Sequence, residues 1–399
     1  MTATAANIDF TKASILASSR LNSATAVTYY LSFTINNAIP SGGYILAYFP
    51  TAVTFDLVAA ASSCQIMFDS GAASSTTCTA FLSTSYIFNF TNPLAASSAP
   101  VNTNITLAIS TSATNPISTR PFSPFSIYTY HSNGALIASL VNALTYSTTT
   151  ASAFNSFTVS RVSTTNAALT SYTVTITQVG ALEANGLIEV TFPSRVQPNS
   201  NSTCSLTYSN TTSNVVCSLS GQIFTVTSIA SAIAAGTSFS LTFTNIRNPY
   251  SFTSVTGFSA TTKTANNLYL YSTGTSSTSL QNTVATPFTS ISYSYSPRQF
   301  NASVSLQLSF ELSQYSLMPT YLLLSIDTYF TVGTLSCSSF MNFIGTCSNV
   351  SSNTIRIDGT FNNSVMGLAV SGFNSPNAAP SGSTYTTLAS FDSSAGKID

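Results

Sequence analysis

Tyr172-Thr-Val-Thr-Ile176, followed by Leu182-Glu-Ala-Asn-Gly-Leu-Ile-Glu-Val-Thr-Phe-Pro193, is the stretch on which the fold turns. Apolar Tyr172, Val174 and Ile176 alternate with threonine, a period of two, which is the mark of a strand with one buried face. The turn residues Ala-Asn-Gly then separate it from a second apolar run that ends at Phe-Pro. The same pattern lies without a gap over Tyr29-Tyr-Leu-Ser-Phe33 and Ile39-Pro-Ser-Gly-Gly-Tyr-Ile-Leu-Ala-Tyr-Phe-Pro50. A more diverged third copy reads Leu306-Gln-Leu-Ser-Phe310 and Tyr321-Leu-Leu-Leu-Ser-Ile326.

Working outward, each copy carries a local cysteine pair: Cys64/Cys78, Cys204/Cys217 and Cys337/Cys347. Downstream of each pair comes an Asn…Pro element (Asn115-Pro116, Asn248-Pro249, Asn374-Ser-Pro376) and then Phe125, Phe258 or Phe391. An order of features kept three times is an internal repeat. The repeats are placed at 1–150, 151–286 and 287–399, with linkers at 146–152 and 271–279. Further runs such as Phe239/Leu241/Phe243 and Val304/Leu306/Leu308/Phe310 alternate with Ser and Thr. Seven or eight such runs per repeat, with turns every ~8–12 residues, predict an all-β protein of three tandem immunoglobulin-like antiparallel β-sandwich domains. The antibody hallmarks are missing: there is no Trp, and the paired cysteines are close in sequence, unlike the long-range inter-sheet bridge.

Composition narrows the function. Charged residues are 5% of the chain, against roughly 25% in ordinary soluble domains. Ser and Thr make up about a third. Net charge is zero, so no field draws nucleic acid or an anionic membrane. The longest nearly apolar stretch, Ala135 to Leu144, is half of the ~20 residues that a spanning helix needs. The first residues have neither a charged n-region nor an apolar h-region, so an extracellular reading requires a mature segment of a longer precursor. Hydrophobics at 44% are ample for packed cores, and glycan is the expected means of hydrating so uncharged a surface.

Cysteine pairing supports that compartment. Three intradomain disulfides, each closing a short loop, are expected over free thiols, and zinc is disfavoured because the chain has one His. Seven Asn-x-Ser/Thr sequons occur, at Asn89, Asn104, Asn201, Asn210, Asn301, Asn349 and Asn362. Asn89 stands between Phe88 and Phe90, so its side chain is expected on the solvent face, and Asn201, Asn210 and Asn349 sit beside cysteines. The linker serines and threonines are candidate O-glycan sites.

Catalysis needs groups that titrate, and few are present. His131 precedes Asn133-Gly134 and reads as a turn residue. Glu183 and Glu189 are the nearest to an acid/base pair, but Pro40 and Leu46 take their places in the first repeat, so both are expected as ordinary solvated charges. Lys263 and Lys397 fall at matching positions, as an isopeptide crosslink would require, yet the first repeat has no such lysine. The expectation is therefore no enzyme, no cofactor and no metal.

At the Phe-Pro step, the local cysteine pair and the Asn-Pro…Phe…Gly ending, the sequence resembles tandem repeats of very large secreted or surface proteins of ciliated protists. The resemblance implies an extracellular β-sandwich array, part of a glycosylated fibril or cell coat. The third repeat departs from it, with Ile326-Asp327 in place of Phe-Pro. The expected role is a structural subunit of a surface coat or filament, partnered with itself head to tail. One route is donation of Asn7-Ile-Asp-Phe-Thr-Lys-Ala-Ser-Ile-Leu16 to the third repeat of a neighbour. The plainer reading makes that segment the first strand of its own repeat. The alternative function is an adhesin or carbohydrate-binding surface protein.

Overall fold

A computed structural model describes residues 6–7, 9–69, 71, 74–75, 78–91, 98–284, 288, 290–296, 299, 301–311, 321–341, 343–361, 365–375, 387–391 and 397. Among the described residues the chain is all-β apart from one short helix, with six sheets that pair around three separate apolar clusters.

The first sandwich holds β1 (Ala6–Asn7), β2 (Asp9–Ala17), β3 (Val27–Thr34), β4 (Tyr44–Phe49), β5 (Thr54–Phe55) and β6 (Cys64–Phe68). It continues with β7 (Ser74–Ser75), β8 (Cys78–Leu82), β9 (Tyr86–Phe90), β10 (Asn104–Thr114), β11 (Phe122–Tyr130) and β12 (Leu136–Tyr146). One sheet runs β2-β3-β10-β6-β7 and the other β1-β12-β11-β4-β9-β8. Helix α1 (Leu57–Ser62), which the strand pattern hides, is capped by Asp56, whose Oδ1 accepts from Val58 N and Ala59 N at 3.1 and 3.2 Å.

The second sandwich repeats the order. Its strands are β13 (Ser152–Ala153), β14 (Ser156–Arg161), β15 (Leu169–Thr177), β16 (Leu187–Thr191), β17 (Gln197–Pro198) and β18 (Cys204–Tyr208). Then come β19 (Thr211–Asn214), β20 (Val216–Ser220), β21 (Ile223–Thr227), β22 (Ser238–Arg247), β23 (Ser259–Lys263) and β24 (Leu270–Thr275). The sheets run β14-β15-β22-β18-β19 and β13-β24-β23-β16-β21-β20, strand for strand as before. The third holds β25 (Ser290–Ser296), β26 (Ser303–Glu311), β27 (Tyr321–Ser325), β28 (Thr331–Met341), β29 (Phe343–Ser351), β30 (Thr354–Phe361), β31 (Met366–Asn374) and β32 (Thr387–Phe391). Its sheets are β25-β26-β31-β28 and β29-β30-β27-β32.

Alternation explains the strands. In β15 the burial follows the sequence, with Tyr172, Val174 and Ile176 buried and the threonines between them half-buried. The Phe-Pro step proves to be the centre of the core. Phe49 makes edge contacts with Tyr29, Phe55, Phe88 and Phe125 at 5.2–5.9 Å between ring centroids. Phe192 does the same with Tyr172, Phe224, Phe243 and Phe258 at 5.4–5.7 Å. Each such pair adds about 0.5–1.5 kcal/mol beyond burial. In the third sandwich, Ile326 takes that place at 6% exposure.

Three expectations change, and the segment at 7–16 follows its plainer reading. Among the described residues the first and second sandwiches have twelve strands each, more than seven or eight, while the third has eight; in all three, two strands inserted ahead of β10, β22 and β31 belong to the opposite sheet. That insertion makes the cysteine pairs inter-sheet bridges despite their short loops. Cys64 in β6 bonds Cys78 in β8, Cys204 bonds Cys217, and Cys337 bonds Cys347, with Cα separations of 6.0, 6.1 and 5.6 Å. Tyr271 to Thr275 is strand, not linker: hydroxyl residues alternating with small ones look like a spacer in sequence, yet here they pair with β23. Finally, Asp9–Ala17 is β2, paired with β3 of its own sandwich in the register Ser14↔Ser32. The plainer reading of that segment is the one adopted, because β3 offers it an edge within the same chain.

Candidate functional site

The sandwiches are joined by close contacts rather than by a tether. Asn22 is fully buried between the first two. Its Nδ2 donates to Ile117 O at 2.9 Å and, across the boundary, to Leu270 O at 3.3 Å and Tyr271 O at 2.5 Å. Its Oδ1 accepts from Ser152 N. Thr119 N donates to Leu270 O and Leu270 N donates back to Thr119 Oγ1, both at 2.9 Å. The chain crossing between them is pinned by a parallel bridge, Leu21↔Thr150.

The second boundary repeats the central contacts of the first. Asn166 Nδ2 donates to Lys397 O at 3.1 Å, Phe252 N donates to the same oxygen at 3.0 Å, and Thr165↔Val284 is the parallel bridge. Asn22 and Asn166 each donate their backbone N–H to the crossing chain, at Thr150 O and Val284 O. One joint is therefore used twice. The linker hydroxyls are bonded within the adjoining sandwiches: Thr148, Ser152 and Ser276 are buried and hydrogen-bonded, so those three positions have no room for the O-glycans expected there. Thr149 and Thr150 remain exposed.

The Asn…Pro element supports the joint from within. Asn115 Nδ2 donates to Ser19 O and Leu21 O, and its Oδ1 accepts from the buried Tyr29 hydroxyl at 2.5 Å. Asn248 makes the matching bonds to Ser163 O, Thr165 O and Tyr172 Oη. In the third sandwich the equivalent position is Ser375, one residue beyond the Asn374 expected from sequence, and its hydroxyl donates to Gln299 O at 2.6 Å. Burial pushes the Tyr29 phenol well above its ordinary range, with Tyr146 adding to it, and burial raises Tyr172 too.

A cleft of about 420 Å³ opens at the first joint, with Arg120, Glu183, Tyr271 and Pro116 among its lining residues. Glu183 is 3.9 Å from Arg120 and accepts from Ala265 N at 2.9 Å; Arg120 also lies 5.8 Å over the Tyr269 ring. Burial and the neighbouring Glu183 both raise the Tyr271 phenol. Glu189 pairs instead with Lys263 at 2.7 Å, both largely buried. The two glutamates thus serve separate contacts and neither is a free solvated charge. Lys263 is occupied by that ion pair, while Lys397 enters the second joint through its carbonyl. His131 lies in the expected exposed turn, where its N–H donates to Ala135 O. No group of three metal-ligating side chains occurs among the described residues.

Sequence reading missed one site. Tyr44 and Tyr48 on β4 and Tyr128 and Tyr130 on β11 point outward from the same sheet, in the register Tyr44↔Tyr130, Leu46↔Tyr128 and Tyr48↔Ser126. Tyr44 and Tyr130 stack at 4.8 Å and 10°, Tyr130 and Tyr128 at 6.4 Å and 28°, and Tyr48 meets Tyr128 edge-on at 5.2 Å. Burial, then the adjacent phenols, raises Tyr48 and Tyr130. The signal was present as two Tyr-x-x-x-Tyr and Tyr-x-Tyr runs, but their cross-strand register is not readable from sequence. The second sandwich has Leu187, Glu189 and Lys263 on the corresponding face.

Of the sequons, Asn201, Asn210, Asn301 and Asn349 are exposed, and Asn89 and Asn104 are half-buried on strands. Asn362 lies outside the described residues. The third-repeat Phe391 is not the counterpart of the buried Phe125 and Phe258. It occupies the place of Tyr130 and stacks on Tyr321 at 5.2 Å and 2°.

No protein-family model and no curated protein matches the sequence. Among solved structures, the B domain of a biofilm associated protein is 9% identical over 70% of this chain and 89% of its own, with a TM-score of 0.22. The N-terminal region of an enterococcal surface protein is 8% identical over 69% and 95%, with a TM-score of 0.21. The serine-rich repeat adhesion glycoprotein of Streptococcus agalactiae is 12% identical over 70% and 100%, with a TM-score of 0.20. Likenesses this distant carry no argument about function. No helix among the described residues is long and apolar enough to cross a membrane.

Proposed function

We propose that the chain is a glycosylated extracellular structural protein, a rigid array that serves in a surface coat or filament and meets its own copies end to end. The repeated joint carries this reading. A buried Asn whose amide bonds a main-chain carbonyl of the next sandwich holds the orientation at each boundary, so the same kind of contact recurs along the array. Repeat arrays of this kind are quasi-one-dimensional spacers. Inter-sheet disulfides, exposed sequons and a nearly uncharged surface fit the extracellular setting. With β2 paired in its own sandwich, end-to-end contact is assigned to the sandwich ends rather than to donation of residues 7–16.

Protein secreted by eukaryotic cells tests this in two measurements. Peptide mass spectrometry is expected to find N-glycan at the exposed sequons and no free thiol. Electron microscopy is expected to find rods of constant length, alone or in strings. Bare asparagines with free thiols, or a hinged ensemble of particles, would sink it. The tyrosine face favours the second reading, a carbohydrate-binding surface protein. A glycan-array signal that survives removal of the protein's own sugars and disappears in Tyr44→Ser would select it.

A further inference from the structure

The tyrosine face and a sequon share one surface. Asn89 on β9 is the cross-strand partner of Leu46, which lies between Tyr44 and Tyr48 along β4. Its side chain therefore emerges beside both rings. Asn89 Oδ1 is covered and has no hydrogen-bond partner among the described residues. One face of Tyr44 is taken by Tyr130.

The third sandwich shows what the other face accepts. There Tyr321 and Phe391 form the equivalent stacked pair, and Arg356, the cross-strand partner of Leu323, stands where Asn89 stands. Its guanidinium lies over the Tyr321 ring at 3.9 Å and is held by Asp358 at 2.7 Å. A group rooted at this position thus reaches the tyrosine two residues along the neighbouring strand. Asparagine alone is too short. Asparagine extended by one sugar ring has about the reach of arginine, and the apolar face of a pyranose suits an aromatic surface as a planar cation does.

We infer that the N-glycan of Asn89 is a structural part of this sheet, its first N-acetylhexosamine lying on the Tyr44 ring as Arg356 lies on Tyr321. The inference rests on the glycoprotein reading above. Attachment forms the bond from Asn89 Nδ2 to the anomeric carbon; the amide gives up one proton and a lipid-linked pyrophosphate leaves the oligosaccharide donor. The ladder of phenols is then a seat for the protein's own sugar.

The full chain secreted from eukaryotic cells tests this. Site occupancy is read by glycopeptide mass spectrometry, and local stability by hydrogen exchange over residues 44–48 and 86–90. Occupied Asn89 is expected, with several-fold faster exchange in Asn89→Gln. Trimming the glycan to a single sugar should leave exchange slow. In a Tyr44→Ser background the Asn89→Gln change should make no further difference, and Asn89→Arg should restore protection with no sugar at all. If Tyr44→Ser is not secreted, Tyr44→Leu keeps the volume and removes the ring. A bare Asn89 beside occupied Asn201, Asn210 and Asn301 overturns this inference and leaves the glycoprotein reading standing. So does an equal loss with and without Tyr44. Seven bare sequons overturn both.

Discussion

A phenol and an amide recur at the base of each of the first two sandwiches, and their energetics are set by burial. Tyr29 Oη and Asn115 Oδ1 are both removed from water, so leaving either unpaired costs about 1–3 kcal/mol, more than the ~1 kcal/mol net worth of the bond. Asn248→Ala takes the donor from Ser163 O, one of two donors from Thr165 O and the acceptor from the Tyr172 hydroxyl, and we expect a loss of about 2–4 kcal/mol in urea unfolding, against about 1–2 kcal/mol for Tyr172→Phe. The buried phenols also set a pH limit. Tyr29, Tyr172 and Tyr271 have folded pKa values raised above the unfolded value of about 10. The unfolded chain therefore sheds protons first as pH rises, so the stability they lend is complete below about pH 10 and is lost above it. Circular dichroism across an alkaline titration should show a falling unfolding midpoint from about pH 10 upward. A midpoint flat to pH 12 would show that these phenols are not held neutral by the fold.

At the scale of elements, tight turns and crossings decide the shape. Gly186 closes the turn into β16, where a Cβ would stand 2.6 Å from Leu182 Cδ1 and 2.8 Å from Glu183 O; Gly43 before β4 is equally enclosed, 2.7 Å from Tyr130 O. Gly186→Ala should lower stability by about 1–3 kcal/mol by overpacking, read as a shift in the denaturation midpoint at unchanged slope. The strands on either side of these turns were legible in sequence because alternation, Phe-Pro and the cysteine pairs are local patterns. What was not legible was anything set by pairing. Tyr271 looked like a spacer residue until β23 lay beside it, and Cys64 and Cys78 looked too close in sequence to bridge two sheets until the inserted strands crossed between them. The Tyr44–Tyr130 stack joins residues 86 positions apart, a distance that no periodicity spans. Phe391 was misassigned for the same reason, since its register against Tyr321 is a property of two strands.

Over the whole molecule, uncharged hydrogen bonding replaces ion pairing. Three ion pairs are found among the described residues, and Arg120–Glu183 and Arg356–Asp358 are substantially exposed. Exposed pairs contribute at most about 1 kcal/mol and are screened by salt. The thermal midpoint is therefore expected to change little between 10 mM and about 1 M NaCl. The joints should behave differently. Asn22→Ala leaves Ser152 N without its partner and takes one of two donors from each of the Leu270 and Tyr271 carbonyls, removing the side-chain bonds that cross the boundary. We expect the first two sandwiches to uncouple, with the single transition splitting in calorimetry and protease gaining access at 147–151.

The atoms that each joint recognises on the following sandwich are mostly main-chain ones: the carbonyl of Leu270 in one case, of Lys397 in the other. Every amino acid carries that oxygen. A leucine and a lysine are thus equally acceptable at the same contact, and neighbours can diverge in sequence without losing their seat. Such an interface tolerates gene duplication. A copy of the second sandwich spliced in frame beside itself would find its docking groups already present, so the length of the array can evolve by counting modules while each module drifts on its own.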